Sequence, residues 1–342
     1  MHKLPSALPA LALGALATLA CASAEPTNSI ERAIATNVTG APPSAIGVET
    51  KLLQEPTISA EHIVFRYADD LWRVGVDGGA AVRLTSSPGR ESAPQLSPDG
   101  QWVAFSGQYE GNTDVYVMPI EGGLPQRLTW HPMGDTVKDW LPDGSGVIFT
   151  SMRGASAPVP MAYVAPLDGG TPTPLELPKV SHISINGPGT HFAYTPVRDA
   201  FRSWKRYRGG RTTPVWIFDR ATLEVEQIPH VNASDTFPVW AAGDVFFASD
   251  RDGVMNLYRY APGSNTLLQM TDYEDFDVRN VDSGAGRVVF EQAGMLHVLD
   301  PGSNTVRDLT VMMQHDGLSL VPRWVNASNY IASGDISPNG KQ

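Results

Sequence analysis

The sequence predicts an all-β protein: a six-bladed β-propeller of four-stranded antiparallel blades, with a truncated start of a further propeller blade. Three observations carry this prediction. A turn-rich segment recurs about every 40 residues, which is the length of a propeller blade. Gly 32 and Pro 28 stand beside only 18% charged residues, a composition typical of short strands joined by many turns. After the first 24 residues, no stretch has the roughly 18 consecutive apolar residues that a membrane helix needs.

The clearest repeat covers residues 93–129. Ser97-Pro98-Asp99-Gly100 predicts a tight turn, with proline where its fixed φ is favourable and glycine in the last position. Strands are predicted around this turn at Ala93–Leu96, at Trp102–Phe105, at Asp114–Val117, and up to Arg127-Leu128-Thr129. These four strands in about 40 residues make one blade.

The other repeats are counted by the apolar residue of their last strand. The markers are Leu84, Leu128, Leu175, Ile228, Met270 and Leu309, which predicts six blades within residues 56–310. Each blade starts and finishes within one repeat. We therefore expect the ring to close by side-chain packing between blades one and six, without a strand exchange.

The first 24 residues are typical of a secretory signal peptide. A basic start precedes an apolar run, and Ala22-Ser23-Ala24 predicts cleavage after Ala24. The protein is therefore expected to be secreted or periplasmic. A lipoprotein with Cys21 lipidated is the alternative, and because this is the chain's one cysteine, the mature protein would have no disulfide. Residues 25–55 have little apolar periodicity and predict a flexible N-terminal segment.

Residues 311–342 predict a linker followed by the incomplete start of a second propeller. Ser337-Pro338-Asn339-Gly340 repeats the turn of the second blade with Asn in place of Asp. A blade that consisted of its first turn alone could not bury its apolar face. We therefore expect a chain that is cut off in mid-structure.

Composition and motifs exclude several functions. A net charge of −11 makes nucleic acid an unfavourable partner. The eight histidines are scattered and no hydrolase, phosphate-loop or metal motif is present, so no catalytic residue, metal or cofactor is predicted. Asp250-Arg251-Asp252-Gly253 resembles the start of a calcium loop, but the later ligands are missing and a hairpin turn is favoured.

A basic cluster lies in the long insertion of blade four. Cations occur at Arg198, Arg202, Lys205, Arg206, Arg208 and Arg211. One interpretation is a solvated loop that packs Trp204 and Tyr207 on the blade edge. The other is a peptide or anion contact at a channel mouth, formed by Arg202, Lys205, Arg206 and Arg208, because arginine presents a planar fork to carboxylates.

These residues support a family resemblance. The Ser-Pro-Asp-Gly…Gly-Gly…Arg-Leu-Thr repeat resembles the TolB-type, WD40-like propeller repeat. The run Ser203–Gly210, followed by the strand Val215–Phe218, resembles the fourth blade of the six-bladed propeller of tricorn proteases, especially their bacterial homologues. The resemblance covers Ile58 to Thr310, and Ile331–Lys341 resembles the entry to the second propeller of that family.

The resemblance implies a module of a larger serine peptidase. In that family a six-bladed and a seven-bladed propeller precede a helical module, a PDZ domain and the peptidase core, and the propellers act as sieves and conduits for peptides. No catalytic module is recognised here, so no catalytic residue is transferred and the enzyme class of this chain stays open. The archaeal enzymes have an arginine pair before blade three that binds the carboxylate of the substrate. The loop His131–Thr136 has none, which argues against that manner of binding.

Three functions follow from these observations. The leading hypothesis is the N-terminal substrate or product conduit of a secreted tricorn-like peptidase, with peptides and C-terminal protease modules as partners and oligomers formed through the parent enzyme. The alternative is a free-standing TolB-like periplasmic interaction propeller. A propeller enzyme with its own metal site is the third, and it lacks a clustered ligand set.

Overall fold

The structure is a computed structural model that describes residues 31–32, 36–39, 48–155, 159–177, 179–198, 204–314, 322, 324–331, 333–335 and 337–341. The predicted signal peptide 1–24, with Cys21, lies outside the described residues, as does Arg202. In the described ranges no helix is long and apolar enough to cross a membrane. The single helix of that part is a 3-10 turn at Ala327–Tyr330.

The described strands form six antiparallel blades and one small sheet. The strands before the first blade are β1 (Glu31–Arg32), β2 (Thr36–Thr39) and β3 (Val48–Glu49). Blade one has β4 (Gln54–Ile58), β5 (His62–Tyr67), β6 (Asp70–Gly75) and β8 (Val82–Arg83), with β7 (Gly79–Ala80) between the last two. Blade two has β9 (Glu91–Leu96), β10 (Trp102–Gly107), β11 (Asp114–Pro119) and β12 (Gln126–Arg127). Blade three has β13 (Asp135–Trp140), β14 (Gly146–Ser151), β15 (Met161–Pro166) and β16 (Thr173–Pro174).

The second half of the ring repeats this order. Blade four has β17 (His182–Ile185), β18 (His191–Thr195), β19 (Trp216–Asp219) and β20 (Val225–Gln227). Blade five has β21 (Asp235–Ala241), β22 (Asp244–Ser249), β23 (Asn256–Ala261) and β24 (Thr266–Gln269). Blade six has β25 (Arg279–Gly284), β26 (Arg287–Gln292), β27 (Met295–Asp300) and β28 (Thr305–Leu309), and β29 (Val311–Met313) follows it.

The first strand of each blade is the innermost one. The strands β4, β9, β13, β17, β21 and β25 contact one another in turn, and β25 contacts β4. This closes the ring and confirms the predicted all-β, six-bladed propeller.

The core is divided among the contacts between neighbouring blades. Each second strand carries an apolar triplet that ends in a large ring, and these rings are almost fully buried at Phe65, Phe105, Phe149, Tyr194, Phe247 and Phe290. Strand alternation points such side chains toward the adjacent sheet, where they bury apolar area against it. Each of the six hydrophobic clusters joins one pair of blades, and one of them packs blade six against blade one.

The closure between blades six and one has a main-chain component that the sequence did not predict. No blade borrows a strand from another repeat within the described ranges, as expected. However, β29 pairs in parallel with β7 of the first repeat and antiparallel with β3. The N–H of Gly79 also donates to the carbonyl of Thr310 at 2.9 Å. Side-chain packing is therefore supplemented by a short backbone ladder.

The N-terminal segment also contributes to the ring. Strand β1 pairs in parallel with β24, and β2 pairs in parallel with β28. These contacts cover the outer edges of blades five and six, which would otherwise present unpaired backbone groups. The described parts of 25–55 thus include short strands, and flexibility of the segment stays a prediction.

The Arg-Leu-Thr motif ties the last two strands of a blade together. In blade two, Arg127 pairs with Asp114 at 2.8 Å and donates through Nε to the carbonyl of Thr129 at 2.8 Å. The hydroxyl of Thr129 accepts from the N–H of Val115 at 3.0 Å. The same contacts recur in blade one at Arg83, Asp70, Thr85 and Leu71.

The turn at 337–341 has the same geometry as its predicted counterpart at 97–101. The N–H of Gly340 donates to the carbonyl of Ser337 at 2.8 Å, as in the earlier turn. Asn339 Oδ1 accepts from the N–H of Lys341 at 3.1 Å, and Asp99 Oδ1 accepts equivalently at 3.0 Å. Asn serves as well as Asp because an acceptor oxygen is all that the turn requires.

Candidate functional site

Five of the six innermost strands contain a β-bulge at the same height along the axis. The pairing register shifts in β4, β9, β13, β21 and β25, and β17 alone among the six pairs without a shift. In four of them a residue other than glycine takes a positive φ, namely Glu55, Ala93, Phe237 and Asn280. Proline follows three of these residues, at Pro56, Pro94 and Pro238. Because proline lacks an N–H, it fits a bulge where the ladder is already interrupted.

One residue takes the same register position in all six innermost strands, and it follows the bulge in the five strands that have one. Each pairs with the middle residue of the apolar triplet on the second strand. We call these six residues the waist ring: Thr57, Gln95, Asp139, Ser184, Val239 and Asp282. Because the blades number six, Asp139 in blade three and Asp282 in blade six lie on opposite sides of the axis.

Hydrogen bonds near the waist ring connect every blade to the next. Thr57 Oγ1 accepts from the N–H of Leu96 at 3.0 Å, and Trp140 Nε1 donates to the carbonyl of Gln95 at 2.9 Å. Asp139 Oδ2 accepts from the N–H of Ile185 at 2.8 Å, and Ser184 Oγ accepts from the N–H of Trp240 at 3.3 Å. Ser283 Oγ then donates to Trp240 O at 2.8 Å. The N–H of Glu55 in blade one closes the circle by donating to Glu291 Oε2 in blade six at 3.1 Å. The waist is therefore held by polar contacts as well as by its apolar layers.

Two cavities open from the waist ring toward opposite faces. The hairpin mouth has a volume of about 720 Å³ and is lined by the turns that join the first and second strands, including Ser97–Gly100. The loop mouth has a volume of about 1140 Å³ and is lined by the opposite ends of the innermost strands and by inter-blade loops. Both cavities include Asp139, Ser184 and Asp282 in their walls. These three residues therefore lie between the two cavities.

The two acids of the waist ring hold their protons more tightly than ordinary carboxyl groups. Burial raises the pKa of Asp139 to about 6, although hydrogen bonds from Ile185, Trp140 and Ser184 partly oppose this. Burial also raises the pKa of Asp282 to about 7, and the nearby charge of Asp139 adds to the rise. Desolvation disfavours the charged form of a carboxyl group, and a second carboxylate adds repulsion. The waist therefore gains negative charge as the pH rises through the neutral range.

The two mouths differ in charge. Cations at the loop mouth are Arg66, Arg90, Lys138, Arg198, Arg211 and Arg279. Arg66 pairs with Glu55 at 3.2 Å. By contrast, neither Arg198 nor Arg211 forms an ion pair or a hydrogen bond within the described part of the chain. The acids at the hairpin mouth, apart from the waist, are Glu61, Asp99 and Glu121.

The cations that the sequence selected lie against blade five. Lys205 Nζ pairs with Asp277 at 2.9 Å, and Arg206 Nε donates to the carbonyl of Gly253 at 3.0 Å. Arg208 binds the carboxylate and the carbonyl of Asp250, each at 2.8 Å. These contacts attach the insertion to the neighbouring blade, while Lys205 keeps half of its side chain exposed and Trp204 is 68% exposed. A peptide contact through these residues and Arg202 stays a prediction, and the channel residues Asp139 and Asp282 were not anticipated.

The acidic run at 250–253 is a turn. The N–H of Gly253 donates to the carbonyl of Asp250 at 2.9 Å, Arg208 neutralises Asp250, and Asp252 accepts from the hydroxyl of Tyr258. Within the residues that the structure describes, no group of three or more His, Cys, Asp or Glu side chains is placed to hold a metal ion.

The ring of six antiparallel blades, with a cavity at each end of its axis, defines the class of protein: a six-bladed β-propeller. The family model described as the tricorn protease N-terminal beta propeller domain matches residues 50–305. The chain therefore belongs to this family.

Relatives share this module over about a quarter of their length. The chain is 32% identical over 290 residues to tricorn protease homolog 1 of Streptomyces coelicolor, which covers 84% of this chain and 27% of that protein. It is 27% identical over 290 residues to the tricorn protease homolog of Saccharolobus solfataricus, covering 83% and 27%. A crystal structure of the tricorn protease superposes with a TM-score of 0.69 at 23% identity over 78% of this chain and 27% of that chain. TolB from Acinetobacter baumannii shares the fold, with a TM-score of 0.51 at 20% identity over 64% of this chain and 53% of that chain.

Proposed function

We propose that this chain is the N-terminal channel module of a tricorn-like serine peptidase and that peptides pass along its axis. The observation that carries the proposal is the pair of cavities that share Asp139, Ser184 and Asp282. The serine-peptidase centre would lie in other domains of the parent enzyme, because the chain spans about a quarter of the curated relatives that it matches. Membership of the tricorn propeller family supports this assignment.

The loop mouth provides chemistry for the carboxylate of a peptide. Arg198 and Arg211 line it without ionic partners in the described structure, whereas Arg206 and Arg208 are bound to blade five. A guanidinium group binds a carboxylate through two parallel hydrogen bonds, which makes the contact directional. In this proposal an entering carboxylate first contacts Arg198 and Arg211.

The first experiment measures binding of a fluorescent tetrapeptide, with a free or an amidated C-terminus, to the full chain. The double variant Arg198→Gln/Arg211→Gln should weaken binding of the free acid about tenfold, since a charge-assisted hydrogen bond contributes about 1.5–3 kcal/mol. The matched variant Arg206→Gln/Arg208→Gln keeps the loop-mouth pair and tests the cations that the sequence selected. If both variants bind like the unmodified chain at low salt, the carboxylate contact is wrong.

A second experiment tests occupation of the axis. Ser184→Cys, in a chain with Cys21→Ser, places one thiol in the waist ring. A saturating peptide should slow alkylation of this thiol and leave unaffected a matched thiol at Ser337, which belongs to the turn at 337–341 and lines neither cavity. Equal alkylation rates with and without peptide would rule out passage along the axis. The chain alone should not hydrolyse peptides, and turnover that a serine-directed inhibitor abolishes would contradict the channel-module proposal.

An interaction propeller is the second candidate, and an exposed apolar rim favours it. In the loops that join one blade to the next, Trp130 is 64% exposed, Phe276 is 60% exposed, and Met133 and Val231 are also exposed. Exposed apolar residues grouped around one face are typical of binding surfaces. A saturable protein partner that is lost in Trp130→Ser/Phe276→Ser, while peptide protection at the waist persists, would support this function.

We also propose export of the protein, on the basis of the signal-like residues 1–24. N-terminal sequencing of the protein from a periplasmic or culture fraction should begin at Glu25. A product that retains the leader, or one that begins at a lipidated Cys21, would replace this cleavage assignment.

A further inference from the structure

The insertion of blade four is fastened to blade five by cations whose acceptors are themselves fixed. Lys205 Nζ pairs with Asp277 Oδ2 at 2.9 Å, and the other carboxylate oxygen of Asp277 accepts from the N–H of Met255 at 3.1 Å. Arg206 takes a φ of 56°, in the left-handed region that residues other than glycine seldom adopt, and its Nε atom donates to the carbonyl of Gly253 at 3.0 Å. The insertion therefore packs on blade five through specific polar contacts.

Arg208 makes the most extensive of these contacts. Its Nη1 atom donates to Asp250 Oδ2 and its Nη2 atom to the carbonyl of the same residue, each at 2.8 Å. The side chain of Asp250 is 3% exposed, and its Oδ1 atom accepts from the N–H of Ser234 at 2.7 Å. A guanidinium group that donates at two points to one residue is fixed in direction as well as neutralised in charge. Asp250 is thus a buried anchor for the insertion.

Arg211 lies on a turn directly after this anchor. The N–H and the hydroxyl of Thr212 both donate to the carbonyl of Gly209 at 3.0 Å, which closes the turn around Arg211. Just after the turn, the carbonyl of Thr213 accepts from the N–H of Asp235 in blade five at 2.8 Å. The turn is therefore held to blade five on both sides. Arg211 itself is exposed and lines the loop mouth.

We propose that Asp250 is a positioning residue for the loop mouth: through Arg208 it holds the turn that presents Arg211 to the carboxylate of a peptide. This inference rests on the proposed carboxylate contact and names a buried residue on which that contact depends. A turn that is already held loses less conformational entropy when a ligand binds, so the contact that it makes is stronger. Under this proposal Arg208 strengthens binding without touching the peptide.

The first test compares binding of the fluorescent tetrapeptide, as free acid and as amide, to the full chain and to Asp250→Asn. Asparagine keeps an acceptor for the N–H of Ser234, but its NH₂ group cannot accept from Arg208. Binding of the free acid should weaken about fivefold, since the turn must then be ordered on binding, and binding of the amide should not change. Asp244→Asn is the matched control: it removes an ion pair with Arg259 at the other end of β22, and neither residue lines a cavity.

Two comparisons separate positioning from a simple effect of charge. Asp250→Asn removes a negative charge and Arg208→Gln removes a positive one, yet both should weaken binding of the free acid, whereas a purely electrostatic role predicts opposite changes. The double variant Arg211→Gln/Asp250→Asn should bind the free acid no more weakly than Arg211→Gln alone, because two changes on one path are not additive. Opposite signs, or losses that multiply, would overturn the proposal. If Asp250→Asn fails to fold, Arg208→Lys replaces it, since lysine keeps the charge without the planar fork.

Hydrogen exchange tests the positioning without a ligand. The amide hydrogen of Thr212, which is bonded inside the turn, should exchange about fivefold faster in Asp250→Asn and at an unchanged rate in Asp244→Asn. An unchanged rate in Asp250→Asn would overturn the proposal, whatever the peptides do. Faster exchange, in a chain whose Arg211→Gln variant binds both peptides normally, would instead reject the proposed carboxylate contact and keep the anchoring of the turn.

Discussion

The Oδ2 atom of Asp139 in blade three accepts a 2.8 Å hydrogen bond from the backbone N–H of Ile185 in blade four. The same side chain lies in the wall of both mouths of the channel. One residue thus joins two blades and lines both cavities. Changes at the waist should therefore alter the stability of the ring and its ligand binding together, and the two effects have to be separated by the choice of substitution.

Asp139→Asn should be more stable than Asp139→Ala. The asparagine amide keeps an acceptor oxygen for Ile185, whereas alanine leaves that N–H buried without a partner, at a cost of about 1–3 kcal/mol. Urea unfolding at pH 5, where the carboxyl of the unmodified chain is largely protonated, measures the difference. Equal midpoints for the two variants would show that water replaces the lost acceptor.

Stability should fall as the pH rises through the range in which the waist acids ionise. Burial raises the pKa of Asp282 from 3.8 to about 7 and that of Asp139 from 3.8 to about 6. The stability that the two protonated carboxyl groups give to the folded state is complete below about pH 4, the pKa of an unfolded aspartate. This stability is lost as the pH rises through 6 and 7. For Asp282 alone this corresponds to roughly 4 kcal/mol.

Thermal unfolding between about pH 4 and 8 measures this dependence. The double variant Asp139→Asn/Asp282→Asn should show a flatter profile than the unmodified chain. Burial also raises the pKa of Glu91 to about 7, so the stability of both proteins should still fall somewhat as the pH rises. An identical profile in the double variant would mean that ionisation of the waist acids does not change the free energy of unfolding.

Gly284→Ala should destabilise the ring at the contact between blades six and one. A Cβ atom at this position would lie 1.9 Å from the carbonyl oxygen of Ile58, so the two innermost strands would have to separate. Overpacking of this kind costs about 3 kcal/mol. Gly187→Ala is the matched control, because a Cβ there meets nothing within 4 Å. Similar melting temperatures for the two variants would contradict the close approach of blades six and one.

Thr129→Val should destabilise blade two by about 1–3 kcal/mol, since the buried N–H of Val115 loses its acceptor while the side-chain volume is preserved. Thr129→Ser keeps the hydroxyl and should recover most of the loss. Denaturant midpoints of the three proteins provide the measurement. If the valine variant is as stable as the serine variant, the hydroxyl of Thr129 is not needed and Arg127 alone joins the last two strands of the blade.

Much of the fold could be predicted because its determinants are local. The turn at Ser97–Gly100 and the apolar triplet ending at Phe105 are each specified within a few residues, and they recur with the blade period. Counting the last-strand markers was therefore enough to obtain six blades. The pairing of β29 with β7 joins residues far apart in the sequence through only two positions, so no periodic pattern announces it.

The channel chemistry could not be predicted from local patterns. Asp139 stands in Lys-Asp-Trp and Asp282 in Val-Asp-Ser, which share no motif. Only the register shifts of β13 and β25 bring the two residues to equivalent positions. A signal was present in Pro56, Pro94 and Pro238, since proline within a strand pattern indicates a bulge or an edge. The dense run of cations in blade four was more conspicuous, yet three of its members bind blade five.

The bulges also determine what the channel wall cannot do. Every innermost strand has one edge without a neighbouring strand, and an extended polypeptide beside such an edge tends to add to the sheet. Pro56, Pro94 and Pro238 have no N–H to offer, and the positive φ of the preceding residues bends the backbone away from the strand direction. If peptides pass along the axis as proposed, they would find no continuous ladder to join on these three blades and would slide past rather than add to the sheet.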